Sequence, residues 1–204
     1  MEKMSEIFIR RVDEWLEESE YRDIDPKYDT AVKCVAGMPK EESDLQQLLE
    51  DIERKYSGDL IYPYFGIFVS AAINKSTVEG ITLNVKNPLI SYLGLNNNNE
   101  LTIIGDVKNF TGYNMEGGIL TIEGNAGNYT GADMHGGELI LNGNCKNQLG
   151  LRMTDGKITV NGNANGDVAT LAEGGTVELL GNYKSIGPFT KAKIYHKGNL
   201  VKVE

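Results

Sequence analysis

The chain has 204 residues, 40% of them hydrophobic, enough for one large domain or for one domain beside a smaller one. A net charge of −9 lacks the basic footprint that nucleic acid or an anionic membrane surface requires. No apolar run reaches the ~18 residues of a membrane span, and the opening MEKMSEIFIRR offers no apolar core for a secretory leader.

Charge and glycine divide the chain. Residues 1–60 hold 9 Lys+Arg against 17 Asp+Glu, and the remainder holds 11 against 12. Only Gly37 and Gly58 of the 24 glycines fall in those 60 residues. Two architectures are therefore expected, with a boundary near residues 58–78. One is an acidic helical region over 1–78, ending in a linking apolar strand segment. The other is a β-helix over 79–204 with closing strands at its C-terminal end.

Met4, Phe8, Val12, Trp15 and Leu16 recur at helical spacing, which predicts an amphipathic helix over 3–19. A polar loop follows, broken at Asp25-Pro26. Ser43-Asp-Leu-Gln46 reads as a capping box that opens a second helix. Leu45, Leu48, Leu49, Ile52 and Tyr56 form its apolar stripe, and Gly58 is its expected stop. Such short helices need a surface to pack on, and the open end of a repeat stack supplies one. The apolar run Leu60–Ile73, interrupted by Pro63, Gly66 and Ser70, reads as a buried strand or strand pair.

From residue 99 the chain repeats every nineteen residues. The units are NELTIIGDVKNFTGYNMEG, GILTIEGNAGNYTGADMHG, GELILNGNCKNQLGLRMTD and GKITVNGNANGDVATLAEG, and GTVELLGNYKSIG begins a fifth. Gly118, Gly137, Gly156 and Gly175 open successive units. Gly105, Gly124, Gly143, Gly162 and Gly181 close the first strand of each. Gly112, Gly131 and Gly150 form a third column, interrupted by Ala169. Two apolar columns alternate with polar ones: Leu101, Leu120, Leu139, Ile158, Val177, and Ile103, Ile122, Leu141, Val160, Leu179. That period of two marks strands with one buried face. Val107, Ala126, Cys145 and Ala164 make a small inward column, and Met115, Met134 and Met153 a large one.

Identical residue types at identical offsets stack in register ~4.8 Å apart, which predicts a right-handed parallel β-helix of nineteen-residue coils. Asp106, Asn125, Asn144, Asn163 and Asn182 then form a vertical amide ladder. Left-handed hexapeptide helices would give eighteen-residue coils. Leucine-rich repeats and propeller blades need patterns this chain lacks. Lys191 to Glu204 reads as a last short strand pair turning at Gly198-Asn199.

The string Met-x-Gly-Gly-x-Leu-x-Ile-x-Gly-Asn-Ala-Gly-x-x-x-Gly, from Met115 to Gly131, resembles the GXGXG repeat. It is similar to the C-terminal β-helix domain of the large glutamate synthase subunit and to the β-helix subunit of formylmethanofuran dehydrogenase. The resemblance spans about residues 99–187 and implies a right-handed β-helix that holds other domains or subunits in place. It implies no catalytic residue, cofactor or metal. Lys146 and Asn165 stand where Gly127 stands in the 118–136 unit, and Asp155 replaces the first glycine of the Gly-Gly pair. These departures mark a diverged, stand-alone member.

Candidate chemistry is sparse. The two histidines are His135 and His196. His135 stacks one coil above Glu116, either as a proton-transfer pair or as a surface cross-strand pair. Asp133 and Arg152 stack likewise, either orienting a substrate or forming a coil-to-coil salt bridge. The outward strand positions Thr102, Thr121, Ile140, Thr159 and Glu178 show neither the acidic cluster of a polysaccharide lyase nor an unbroken threonine array for ice. Cys145 is expected in the core. Cys34, in a loop beside Lys33, is a free thiol, and two lone cysteines fit a reducing cytoplasm. The favoured expectation is a non-catalytic scaffold or interaction subunit with a protein partner or a second copy. The alternative is an enzyme on a carbohydrate-like or small-molecule ligand, in a groove beside the aromatic segment Tyr62, Tyr64, Phe65.

Overall fold

The computed structural model describes residues 4–18, 24–36, 41–56 and 64–202. Four helices, α1 (Met4–Glu18), α2 (Ile24–Cys34), α3 (Glu42–Tyr56) and α4 (Phe65–Asn74), precede ten strands. The strands are β1 (Ile81–Asn84), β2 (Glu100–Ile104), β3 (Ile119–Glu123), β4 (Glu138–Leu141), β5 (Lys157–Val160), β6 (Ala164–Val168), β7 (Thr176–Leu179), β8 (Tyr183–Ile186), β9 (Lys193–His196) and β10 (Asn199–Lys202). Gly58, Leu60 to Pro63 with Tyr62, and the side chains of Met4 and Phe8 lie outside the described residues.

The β part is a parallel β-solenoid. Its main sheet runs β1-β2-β3-β4-β5-β7-β9-β10, parallel throughout except for the final β9-β10 hairpin. Register steps by nineteen residues, from Leu101 to Leu120, Leu139, Ile158 and Val177. The end coils differ in length: Ile81 sits under Leu101, and Val177 under Ile194. Both apolar columns and the methionine column are buried. β6 and β8 give the last coils a second strand pair. The Lys197-Gly198 turn has two positive φ angles, 51° and 78°, as a tight hairpin between right-twisted strands requires.

Two reasons place glycine at the corners. Gly118, Gly137, Gly156 and Gly175 have positive φ. At Gly124, Gly143, Gly162 and Gly181 the cause is close approach. A Cβ there would stand 2.1–2.3 Å from the carbonyl oxygen of the glycine one coil below.

The helical region differs from the sequence expectation in three places. α2 occupies the expected polar loop, because Pro26 falls in its first turn, where a missing N–H costs nothing. α3 begins at Glu42, so Ser43 is not its cap; the Glu41 N–H donates to the Asp44 carboxylate at 3.3 Å. Of the segment read as strand, the part from Phe65 to Ile73 belongs to the helix α4 and is buried on all sides. Gly66 lets α4 approach the first coil, since a Cβ there would lie 1.8 Å from the Ser91 carbonyl oxygen. Trp15, Phe65 and Phe68 join the helices to a buried cluster that continues through the coils to Ile194.

α3 finishes the sheet at its β1 edge. Thr82 donates its N–H to Glu42 at 2.7 Å. Asn84 donates to Gln46 Oε1 at 2.8 Å, and Gln46 Nε2 donates back to the Asn84 carbonyl at 3.3 Å. The N–H groups of Lys86 and Asn87 both reach Glu53 at 3.0 Å.

Candidate functional site

The amide column is a continuous ladder. Each side-chain oxygen accepts the backbone N–H one coil up. Asp106 takes Asn125 at 2.7 Å, Asn125 takes Asn144 at 2.9 Å, Asn144 takes Asn163 at 2.8 Å, and Asn163 takes Asn182 at 2.9 Å. A second ladder, not picked out in the sequence, runs through Asn109, Asn128 and Asn147, with the Asn128 and Asn147 N–H groups donating at 3.0 and 3.1 Å. Its signal was present as Lys-Asn, Gly-Asn, Lys-Asn at the same spacing. Beside it, Tyr64, Tyr92, Phe110 and Tyr129 stack ring on ring, with Tyr92 and Phe110 4.9 Å apart and almost parallel. Burial pushes the Tyr92 hydroxyl up to about 12.

Tyr92, Phe110, Tyr129, Gln148 and Ala169 have left-handed φ angles of 56° to 63°, and the adjoining corner repeats that conformation. Asn96, Asn114, Asp133, Arg152, Leu171 and Phe189 form one column, and all six have φ between 53° and 57°. Asn and Asp tolerate that left-handed conformation, but Leu and Phe are strained by it. Asp133 and Arg152 form a forked ion pair, Nε to Oδ1 at 2.7 Å and Nη2 to Oδ2 at 2.6 Å. Asp133 raises the Arg152 pKa further, through hydrogen bonding and charge. Above them Leu171 is exposed, and Phe189 is 82% exposed. Sequence reading named Asp133 and Arg152 but missed Leu171 and Phe189, whose only signal was a large apolar residue at an Asn-type corner.

The other named residues fall as follows. Glu116 and His135 are one coil apart, but His135 Nδ1 contacts Thr154 Oγ1 at 2.9 Å. Glu116 instead lines a recess of about 330 Å³ with Tyr28, Asp29, Asn74, Lys75, Asn96 and Asn98, where the helices meet the coils. There Asn74 Nδ2 donates to Tyr28 Oη at 2.8 Å, while Asn74 Oδ1 is buried without a partner. Burial raises the Tyr28 pKa. Cys145 is buried in its small column, and its thiol is pushed up to about 12. Cys34 is the buried last residue of α2, not a loop residue. Phe65 is core, so it lines no surface groove.

Among the described residues no group of three His, Cys, Asp or Glu side chains could hold a metal ion. None of the described helices is long and apolar enough to cross a membrane. Comparison with known protein families, curated proteins and solved structures finds no match in any of the three.

Proposed function

We propose that the protein is a non-catalytic scaffold that meets a protein partner or a second copy of itself in the cytoplasm. Its GXGXG-like repeats support a role like that of the β-helix parts of glutamate synthase and formylmethanofuran dehydrogenase. The observation that carries the reading is Phe189, a large apolar side chain left in solvent on a strained backbone. Folding alone favours Asn or Gly there, so a phenylalanine at this corner fits a contact with another molecule. Arg152 and Leu171 extend the same stripe, and Phe with Arg is a typical centre for an interface. The test is Phe189→Asn, with affinity purification from the native host and thermal unfolding. The expected result is a Tm at or above wild type and loss of a stoichiometric partner. Unchanged partners at unchanged stoichiometry would sink the reading.

A ligand-binding enzyme is the second reading, favoured by the unpartnered Asn74 Oδ1 at the recess. Amide and ring NMR signals of Tyr28 and Asn96 that stay still across a panel of mono- and oligosaccharides would remove it.

A further inference from the structure

The two edges of the main sheet are finished differently. At β1 the outward N–H groups of Thr82 and Asn84 are taken by Glu42 and Gln46 of α3, and just past the strand those of Lys86 and Asn87 are taken by Glu53. Glu50 of the same helix pairs with Lys86 at 2.9 Å, and the buried Leu45, Leu49 and Ile52 carry its apolar stripe. At the other edge, among the described residues, no strand or helix covers β10. Leu200 and Val201 of that strand are 48% and 42% exposed. Charge is also inverted there. Residues 183–202 contain five lysines and no Asp or Glu, and Lys184, Lys193 and Lys197 are exposed.

We infer that the outer edge of β10 receives an acidic amphipathic helix from a partner protein, as α3 covers β1. The inference rests on the scaffold reading only for the partner being a protein. Helix residues four apart rise ~6 Å, close to the ~6.8 Å between alternate strand residues. Glu or Gln at that spacing can therefore accept successive outward N–H groups. The apolar stripe of such a helix covers Leu200 and Val201, and its carboxylates meet Lys193 and Lys197. β10 is short and carries a register shift between Leu200 and Lys202, features that resist strand addition but not a helix. Two copies pairing through β10 would bring the lysines of both edges together. A lipid surface presents no groups spaced to match a strand edge.

The probe is a helix-stapled, fluorescent peptide of residues 41–56, which holds six acidic and two basic residues. Its control carries Lys at all six acidic positions. Anisotropy with the full chain should show the acidic peptide binding at least tenfold more tightly than the control, weakening with salt. The double variant K193E/K197E, with unchanged circular dichroism and Tm, should lose at least tenfold in affinity. Equal binding of both peptides, or full affinity in K193E/K197E, overturns the proposal. So does a concentration-dependent dimer in sedimentation that this variant abolishes, which would assign the edge to a second copy. Binding to phosphatidylserine vesicles that depends on the same lysines overturns it in favour of lipid. Failure here with partner loss in Phe189→Asn leaves the scaffold reading standing.

Discussion

Asn144 shows how a single side chain ties coils together. Its Oδ1 accepts the Asn163 N–H, while its own N–H and Nδ2 both donate to Asn125 Oδ1. Asn144→Ala leaves the Asn163 N–H to water, since the ladder is exposed. The expected loss is about 1 kcal/mol in urea unfolding, with unchanged far-UV circular dichroism. A loss near zero would mean that the ladder directs register without adding stability. Cys145 gives a pH-dependent case. Its thiol titrates at about 12 in the fold, against ~8.5 for a free cysteine. Below pH ~8 both states hold the proton, and the contribution of the protonated thiol is complete. Above it the unfolded chain releases a proton that the folded chain keeps, so stability falls as pH rises. Between pH ~9 and ~10 the wild type should lose up to about 1.4 kcal/mol more than Cys145→Ala, measured by urea unfolding at each pH. Parallel pH profiles of the two proteins would contradict this.

Elements were legible where a face is exposed and hidden where none is. The strands β2 to β7 of the main sheet announce themselves because inward and outward residues alternate, and their columns repeat at a fixed step. The inward placement of Cys145 followed from the same columns. α4 shows no helical stripe because all nine residues from Phe65 to Ile73 are buried, so a largely apolar run of that length resembles a strand. Phe189 escaped notice because its strain lies in the backbone, which residue type does not display. The stripe of α3 was readable, but the task of its polar face was not. Glu42, Gln46 and Glu53 look like ordinary solvated residues until β1 is beside them. Glu53→Ala should cost about 2 kcal/mol, because two N–H groups lose one buried acceptor. Hydrogen exchange at Lys86 and Asn87 should accelerate in that variant, and exchange at Thr82 and Asn84 in the pair Glu42→Ala, Gln46→Ala. Equal acceleration across β2 and β3 in either variant would show global unfolding, not release of an edge.

For the whole molecule, near-equivalence of coils means that stability is a sum over neighbours. Deleting Gly137 to Asp155 removes one complete coil. Leu120 then stacks under Ile158, Asn125 under Asn163, Met134 under Met153's former neighbour Ala172, and Asp133 under Leu171. Every column stays continuous, though Arg152 is lost from the corner. The shortened chain should fold with the same circular dichroism per residue and a smaller urea m-value, reflecting the lost buried surface. Deleting one residue fewer, Gly137 to Thr154, leaves a twenty-residue step. That step moves inward residues to the outer face unless a turn absorbs it. The first coil absorbs it between Ile81 and Leu101. The middle coils have less room, because a Cβ at Gly124, Gly143 or Gly162 would lie only 2.2–2.3 Å from the coil below. The eighteen-residue deletion should therefore unfold at lower urea than the nineteen-residue one, although it keeps more chain. The reverse order would show that coil length is not what holds the stack in register.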